Sequence, residues 1–488
     1  MIETAPEYEV IVVGSGFGGL CMGVKLRQAG IDNFLILEKD KEFGGTWWAN
    51  RYPGCAVDVP SHLYSFSFAR KSNWTRAFAQ QGELLDYTRS IIRDFGLGPH
   101  LRADTALLGA QYDEAGGYWH VRTSAGTFTA KSLVTSLGAL SRPSIPQIEG
   151  IADFAGPMFH SARWDHGIDL RGKRVAVIGT GASAVQFIPE IAGQVAQLDV
   201  YQRSAPWILP RPDRAFGAVE KKLLATVPGL QWLYRAMVYI QHEGRAIAFV
   251  YAPGLLRAAQ ALSRHHMRKQ VADPALRAKL TPDYSLGCKR VLVTSTYYPA
   301  LARENVTLLT AGVKAVRAGS IVGGGGEERP VDAIIFGTGF DVEHLLGGAD
   351  IRGAGGKRLG GADGDALEAY KGCTVAGFPN FFMITGPNTG LGHNSMIYMI
   401  ESGVAYIVDA IKKVREERLH SVDVKPDVQE HFNRKLQARL KGTVWSSGCR
   451  SWYLDRNGKN AVLWPGFSFV YRWITRRFDI ANYIVRRQ

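Results

Sequence analysis

Two glycine-rich turns, each set between a β-branched run and a helix-compatible stretch, constrain this chain more than any other feature. The first run, Val10-Ile11-Val12-Val13, leads into Gly14, Ser15, Gly16, Phe17, Gly18 and Gly19, with a helical pattern from Leu20 to Ala29. The second, Arg174 to Ile178, leads into Gly179, Thr180, Gly181, Ala182, Ser183 and Ala184, with a helical pattern through Ile191. Continuous apolar runs suit strands buried on both faces of a parallel sheet. Strand, glycine turn and helix in this order form the dinucleotide fingerprint. Its first glycine makes the turn, its second lets backbone approach a pyrophosphate, and its third small residue lets the helix pack on the strand. The phosphates then meet the free N–H groups at the helix N-terminus. The expected fold class is α/β, with two Rossmann-like dinucleotide-binding domains.

The residues that follow the next strand carry opposite charge at the two sites. Phe34-Leu35-Ile36-Leu37 ends at Glu38, with Lys39 beside it. A carboxylate there accepts both ribose hydroxyls and repels a 2′-phosphate, so the first site prefers FAD or NAD. The strand expected from Gln197 to Tyr201 ends instead in Gln202-Arg203-Ser204. An arginine fork and a hydroxyl suit a 2′-phosphate. NADPH is therefore the expected second dinucleotide, with Thr180, Ala182, Ser183 and Gln186 at its turn and helix. One flavin and one exchanging hydride donor account for the opposed signals; a duplicated NAD module is the competing reading.

Gly44, Gly45, Thr46, Trp47 and Trp48 run on through Tyr52-Pro53-Gly54 and Asp58 to Tyr64. Aromatics beside glycines can line a flavin ring, because flat rings stack on flat rings. Plain core packing explains Trp47 and Trp48 equally well. Asp58, between Pro53 and Pro60, is either a rigidly held carboxylate or a surface one. Lys289 and Arg290 precede the apolar Val291-Leu292-Val293 and on chemistry alone read as a solvated edge. Phe154, Gly156, His160, Trp164 and Asp165 lie in a linker between the two fingerprints, where a histidine is more often a hinge residue than a base.

Composition narrows the setting. Glycine supplies 55 of 488 residues, above the usual ~7%, as many tight turns or close ligand approaches require. Lys and Arg outnumber Asp and Glu by 58 to 44, a net charge of +14 that suits some anionic partner. The five cysteines are scattered, with no Cys-x-x-Cys pair, which makes a poor disulfide framework and a poor zinc site. The acidic opening from Met1 is no signal peptide, and no stretch reaches the ~18 uncharged apolar residues of a spanning helix. A reducing, cytoplasmic setting without a metal is expected.

Taken together, these motifs resemble the type I Baeyer–Villiger monooxygenases, a family of class B flavoprotein monooxygenases. The short family signature is matched by Phe154, Gly156, His160, Trp164 and Asp165, and the longer one by Gly44, Gly45, Trp47, Tyr52, Pro53, Gly54 and Asp58. The resemblance runs through Lys289-Arg290, Tyr297-Tyr298-Pro299, Phe336 to Asp341, Gly386 to Ser395 (with Asn388), and Ser451-Trp452-Tyr453. It departs at Cys55-Ala56-Val57, where many relatives have Ala-Arg-Cys, and at Ser136-Leu137-Gly138, in place of Ala-Thr-Gly. It implies an FAD domain from both chain ends (1–145 and 371–488) and an interposed NADPH domain (150–214 and 285–370) with a helical insertion (215–284). It also implies an activity: NADPH and O2 oxidise a ketone to an ester or lactone through a flavin C4a-peroxide stabilised by Arg290, with sulfoxidation as a companion reaction. Asp58 would orient Arg290, Lys289, Arg203 and Ser204 would hold the 2′-phosphate, Trp452 would pack near the nicotinamide cofactor, and His160 would couple domain motion.

Other classes remain open at this stage. An N- or S-oxygenating flavin monooxygenase shares both fingerprints, although Trp164 and Arg290 favour ketone chemistry. A flavin disulfide reductase needs a close dithiol that the sequence lacks. A nucleic-acid or membrane-surface binder rests on the net charge, on the basic tail from Tyr471 to Phe478, and on Arg264, His265, His266, Arg268 and Lys269.

Overall fold

The run Val10–Val13 sits in the strand Tyr8–Val13, parallel to Phe34–Leu37 on one side and to Gly126–Thr135 on the other. This computed structural model describes residues 5–138, 140, 142–341, 348–360, 367–449, 451–455 and 457–487. The opening Met1 to Thr4 lies outside them. The first sheet has eight strands and mixes parallel nucleotide-binding strands with an antiparallel extension through Leu107–Asp113 and Tyr118–Thr123. Phe381–Met383 returns from the far end of the chain to pair in parallel with Gly126–Thr135, so both chain ends build this sheet. Over it packs the long helix Met396–Glu416, whose buried face meets the helix Phe17–Gln28. That first helix begins three residues earlier than its sequence pattern, because the glycines themselves enter its first turn.

The second sheet is all parallel, in the order Val306–Leu309, Gln197–Tyr201, Arg174–Ile178, Ala333–Phe336, Met158–His160. Gly14 and Gly179 hold equivalent places in the two sheets, with φ of 104° and 103°. A Cβ on either would come within 2.7 Å of the Ser136 carbonyl oxygen or 2.5 Å of that of Gly337, so only glycine fits both turns. The insertion is helical: Ala218–Thr226, Leu230–Ala246, Leu256–Gln270 and Pro274–Lys279.

Two expectations are corrected. Asp350–Arg352 pairs with Leu107–Asp113 at the edge of the first sheet, so a second NADPH-domain segment running to 370 extends too far. Chain order hid this, because a short strand can join a sheet whose other strands lie far away in sequence. Cys288 and Cys449 form a disulfide across 161 residues of sequence, while Cys21, Cys55 and Cys373 are free and buried. Scattered spacing reveals no such bridge, since the fold alone brings these two segments together.

Candidate active site

At the first turn, the helix Phe17–Gln28 has Gly16 at its cap and no side chain capping it, so its leading N–H groups remain available to an anion. Glu38 is buried and accepts from the backbone N–H and hydroxyl of Ser15, at 3.0 and 2.6 Å. The carboxylate expected to meet a ribose is thus held at the lip of the turn. Lys39 is exposed and pairs with Asp40 at 3.0 Å. Gly45 (φ 55°) folds the next loop back onto Gly16 and starts the short helix Thr46–Ala49. Trp47 packs edge-on to Tyr64, which lies 5.3 Å from the ring of Phe17. The glycine-flanked aromatics therefore form one wall beside the uncapped helix.

The second turn meets a cluster of cations. The helix Ala184–Ile191 also lacks a side-chain cap at Ser183, and Thr180 reaches the carbonyl of Ser204 at 3.4 Å. Lys289 donates to the Ser204 hydroxyl at 2.9 Å. Burial, and then the charge of Arg203, lower the pKa of Lys289. Two cations brought together beside a hydroxyl and a helix N-terminus make a donor set suited to a phosphate. The Gln186 amide oxygen accepts from Tyr52 at 2.9 Å and from the Ala56 N–H, while its nitrogen donates to the Ala56 carbonyl. It fastens the second domain to the aromatic loop of the first.

Between the two turns, Arg290 donates to Asp58 through Nε at 3.1 Å and Nη2 at 2.5 Å. About a third of each side chain remains open, so the pair lines accessible space. Burial alone would raise the Asp58 pKa, but Arg290 outweighs it and holds the carboxylate below its ordinary range. Asp58 in turn raises the pKa of Arg290. Tyr453 is buried beside them, its pKa pushed up to about 12 by burial and eased down by Arg290. Arg211, whose charge also acts on Asp58, donates to the carbonyls of Val57 and Phe78. Sequence reading assigned roles to neither Tyr453 nor Arg211. The first was hidden beside the more conspicuous Trp452, and the second lies in a stretch without a motif. Trp452 is 39% exposed and tilts against Tyr453.

The linker residues divide by task. Phe154 is buried under the second sheet, and Gly156 passes so close to Asp332 that a Cβ would lie 2.5 Å from its carbonyl oxygen. Trp164 packs between Phe159 and Phe187, while Asp165 caps the turn at Gly167. His160 ends its strand against Phe340 and accepts from the Ala162 N–H. Burial lowers its pKa to about 4, which makes it a neutral packing element at ordinary pH.

Residues 11–216 match the family model described as pyridine nucleotide-disulphide oxidoreductase. A Baeyer–Villiger monooxygenase of Pseudomonas aeruginosa is 49% identical, the match covering 97% of this chain and 91% of the relative. One of Streptomyces coelicolor is 45% identical over 98% of this chain and 92% of that protein. The chain belongs to the Baeyer–Villiger monooxygenases.

Among solved structures, a steroid monooxygenase in oxidised form bound to NADP superposes with a TM-score of 0.88 at 30% identity, covering 99% of this chain and all of that one. Cyclohexanone monooxygenase from a Rhodococcus species, bound to NADP+, gives 0.88 at 26% identity with the same coverage. In this Baeyer–Villiger monooxygenase Cys21, Cys55 and Cys373 are free and buried, and Cys288 is bonded to Cys449. Asn388, expected at the cofactor, is buried with φ of 57° and donates to the carbonyls of Asn460 and Leu463. It shapes the loop that runs into the helix Met396–Glu416.

Proposed function

We propose that this chain is an FAD- and NADPH-dependent Baeyer–Villiger monooxygenase in which Arg290 is the catalytic cation and Asp58 its positioning residue. The observation that carries the assignment is the Asp58–Arg290 pair, which joins the aromatic loop of the first domain to the strand-end segment of the second. Bound FAD would supply electron transfer and oxygen activation, with NADPH as the source of electrons. The protein's own part is charge and shape. Arg290 offers a guanidinium that stays protonated at any working pH, where negative charge gathers on the attacking oxygen and then on the carbonyl oxygen of the ketone. Charge fixed in advance at such a point commonly lowers a barrier by about 3–4 kcal/mol. Asp58 keeps the fork in place, and Tyr453 closes the pocket behind it.

Gly14, Gly16, Gly19, Gly45, Thr46, Trp47 and Tyr64 would cradle FAD, and Glu38 would hold its ribose by exchanging part of its bond to Ser15. Gly179, Thr180, Gly181, Ala182 and Ser183 would take the NADPH pyrophosphate, with Arg203, Lys289 and Ser204 on the 2′-phosphate. Trp452 would cover the nicotinamide end. Arg290→Ala is expected to bind both cofactors, remain yellow and undergo flavin reduction by NADPH, yet form no ester from a ketone panel and no sulfoxide from thioethers. Product analysis beside a flavin reduction assay checks this. Ester formation at the wild-type rate would overturn the role given to Arg290.

A further inference from the structure

The longest insertion helix is built inside out. Leu230–Ala246 runs on through the turn Ile247–Tyr251, and the arm Pro253–Gln270 then departs at 114°. A helix packed on a protein ordinarily shows its polar face to water. Here Leu233, Met237, Ile240, Ile247 and Tyr251 recur at steps of three, four and seven on the exposed side, with Ile240 67% exposed. The lone carboxylate of the helix, Glu243, is buried instead and accepts from Ser468 and Asn394. Those bonds attach the C-terminal helix Ser468–Ile474 alongside. Tyr251 stacks on Phe467 at 5.2 Å, and Phe467 on Phe469 at 5.1 Å, so the apolar stripe continues to exposed Phe469 and Trp473. Trp232 and Trp473 are each 62% exposed. Scattered exposed apolar residues are ordinary, whereas a continuous aromatic-bearing band marks an interaction surface.

Charge says what covers it. Segments 218–270 and 467–478 hold eleven Lys and Arg against two acids, nine of the fourteen net positive charges of the whole chain. Of the two acids, Glu243 is buried and Glu220 is paired with Arg214 at 2.6 Å. Arg257, Arg264, Arg268 and Lys269 flank the second arm in the open, and the Arg476 guanidinium lies 5.2 Å from the centre of the Trp473 ring. Tryptophan and tyrosine beside apolar side chains, rimmed by arginines, match the layered chemistry of a bilayer surface: acyl chains, interface and anionic headgroups. A second copy of this chain would set two strongly positive rims against each other. No single helix among the described residues is long and apolar enough to cross a membrane. We infer that the bent insertion helices and the C-terminal helix form one docking surface for an anionic lipid bilayer, on which the enzyme lies without crossing it.

The test is flotation of the FAD-loaded protein with vesicles of phosphatidylcholine alone or mixed with phosphatidylglycerol, at low and high salt. Binding to the mixed vesicles is expected to exceed binding to phosphatidylcholine by about tenfold and to weaken in high salt. The double variant Ile240→Ser, Trp473→Ser should lose about tenfold in vesicle binding while oxidising a water-soluble ketone at the wild-type rate. Arg476→Gln with Arg477→Gln should weaken binding only to the anionic vesicles. Failure of the wild-type protein to float with phosphatidylglycerol vesicles would overturn the inference. So would a dimer, seen by light scattering, that Ile240→Ser, Trp473→Ser dissociates without changing vesicle binding.

Discussion

At Asp58 and Arg290, electrostatics decide which partner sets the protonation state. Burial pushes the carboxyl pKa up and the guanidinium pulls it down, and the guanidinium prevails. The folded value lies below the unfolded one, so the pair adds stability above about pH 4 and loses it only as pH falls through the lower, folded value. The acid limb of the ester-forming rate, followed where the protein stays folded, should therefore not belong to Asp58. Asp58→Asn is expected to lower ester formation by about 10²-fold with the shape of the pH profile unchanged. A wild-type limb about one unit above the usual carboxylate range that vanishes in this variant would contradict the reading. The same reasoning applies at the second turn. Arg203 and Lys289 set two cations beside the Ser204 hydroxyl, so Arg203→Ala should raise the Michaelis constant for NADPH about tenfold or more and leave that for NADH nearly unchanged. Equal effects on both would remove the 2′-phosphate role.

Elements carry the signal from site to site. The helix Ala184–Ile191 begins at the second nucleotide turn, and one turn on it sends Gln186 across to the Tyr52–Ala56 loop. On its other side, Phe187 receives Trp164 of the linker. The strand Met158–His160 ends in a histidine that burial keeps neutral, with a folded pKa of about 4 against 6.5. As pH falls below about 6.5 the unfolded chain takes up the proton and the folded chain does not, so stability declines until pH reaches about 4. At pH 5 the share of His160 is on the order of 2 kcal/mol. His62, His242 and His393 are shifted the same way, so His160→Gln should flatten one part of the loss in urea midpoint between pH 7.5 and pH 5. An unchanged slope would show that His160 is protonated in the fold. Both turns and their strands were legible in the sequence because a strand, a glycine turn and a helix are local features with a fixed period. Gln186 as a domain fastener, Arg211, and the edge strand Asp350–Arg352 were not, because each takes its role from a partner distant in sequence.

For the molecule as a whole, the disulfide and the returning chain end belong to one problem: how to hold Arg290 at the junction of two domains. Cys288 precedes Lys289-Arg290, and Cys449 lies four residues before Tyr453, whose charge acts on Arg290. The bridge joins these two stretches across 161 residues of sequence. The chain end that carries Tyr453 is held as well by the bonds of Asn388 to Asn460 and Leu463 and by the pairing of Leu419–Val424 with Tyr483–Arg487. Closing so long a loop removes much freedom from the unfolded chain, by loop entropy up to about 5 kcal/mol. Cys449→Ser should therefore lower the denaturation midpoint and also reduce the yield of ester per NADPH consumed, because the cover over the oxygenation site loosens while both nucleotide turns stay intact. Thiol titration of the denatured protein provides a direct check. Three thiols are expected before reduction and five after it, given five cysteines with one bridge. Five before reduction would leave the closing segment tied to Arg290 by packing alone, and the Cys449→Ser variant would then match the wild type in both measurements.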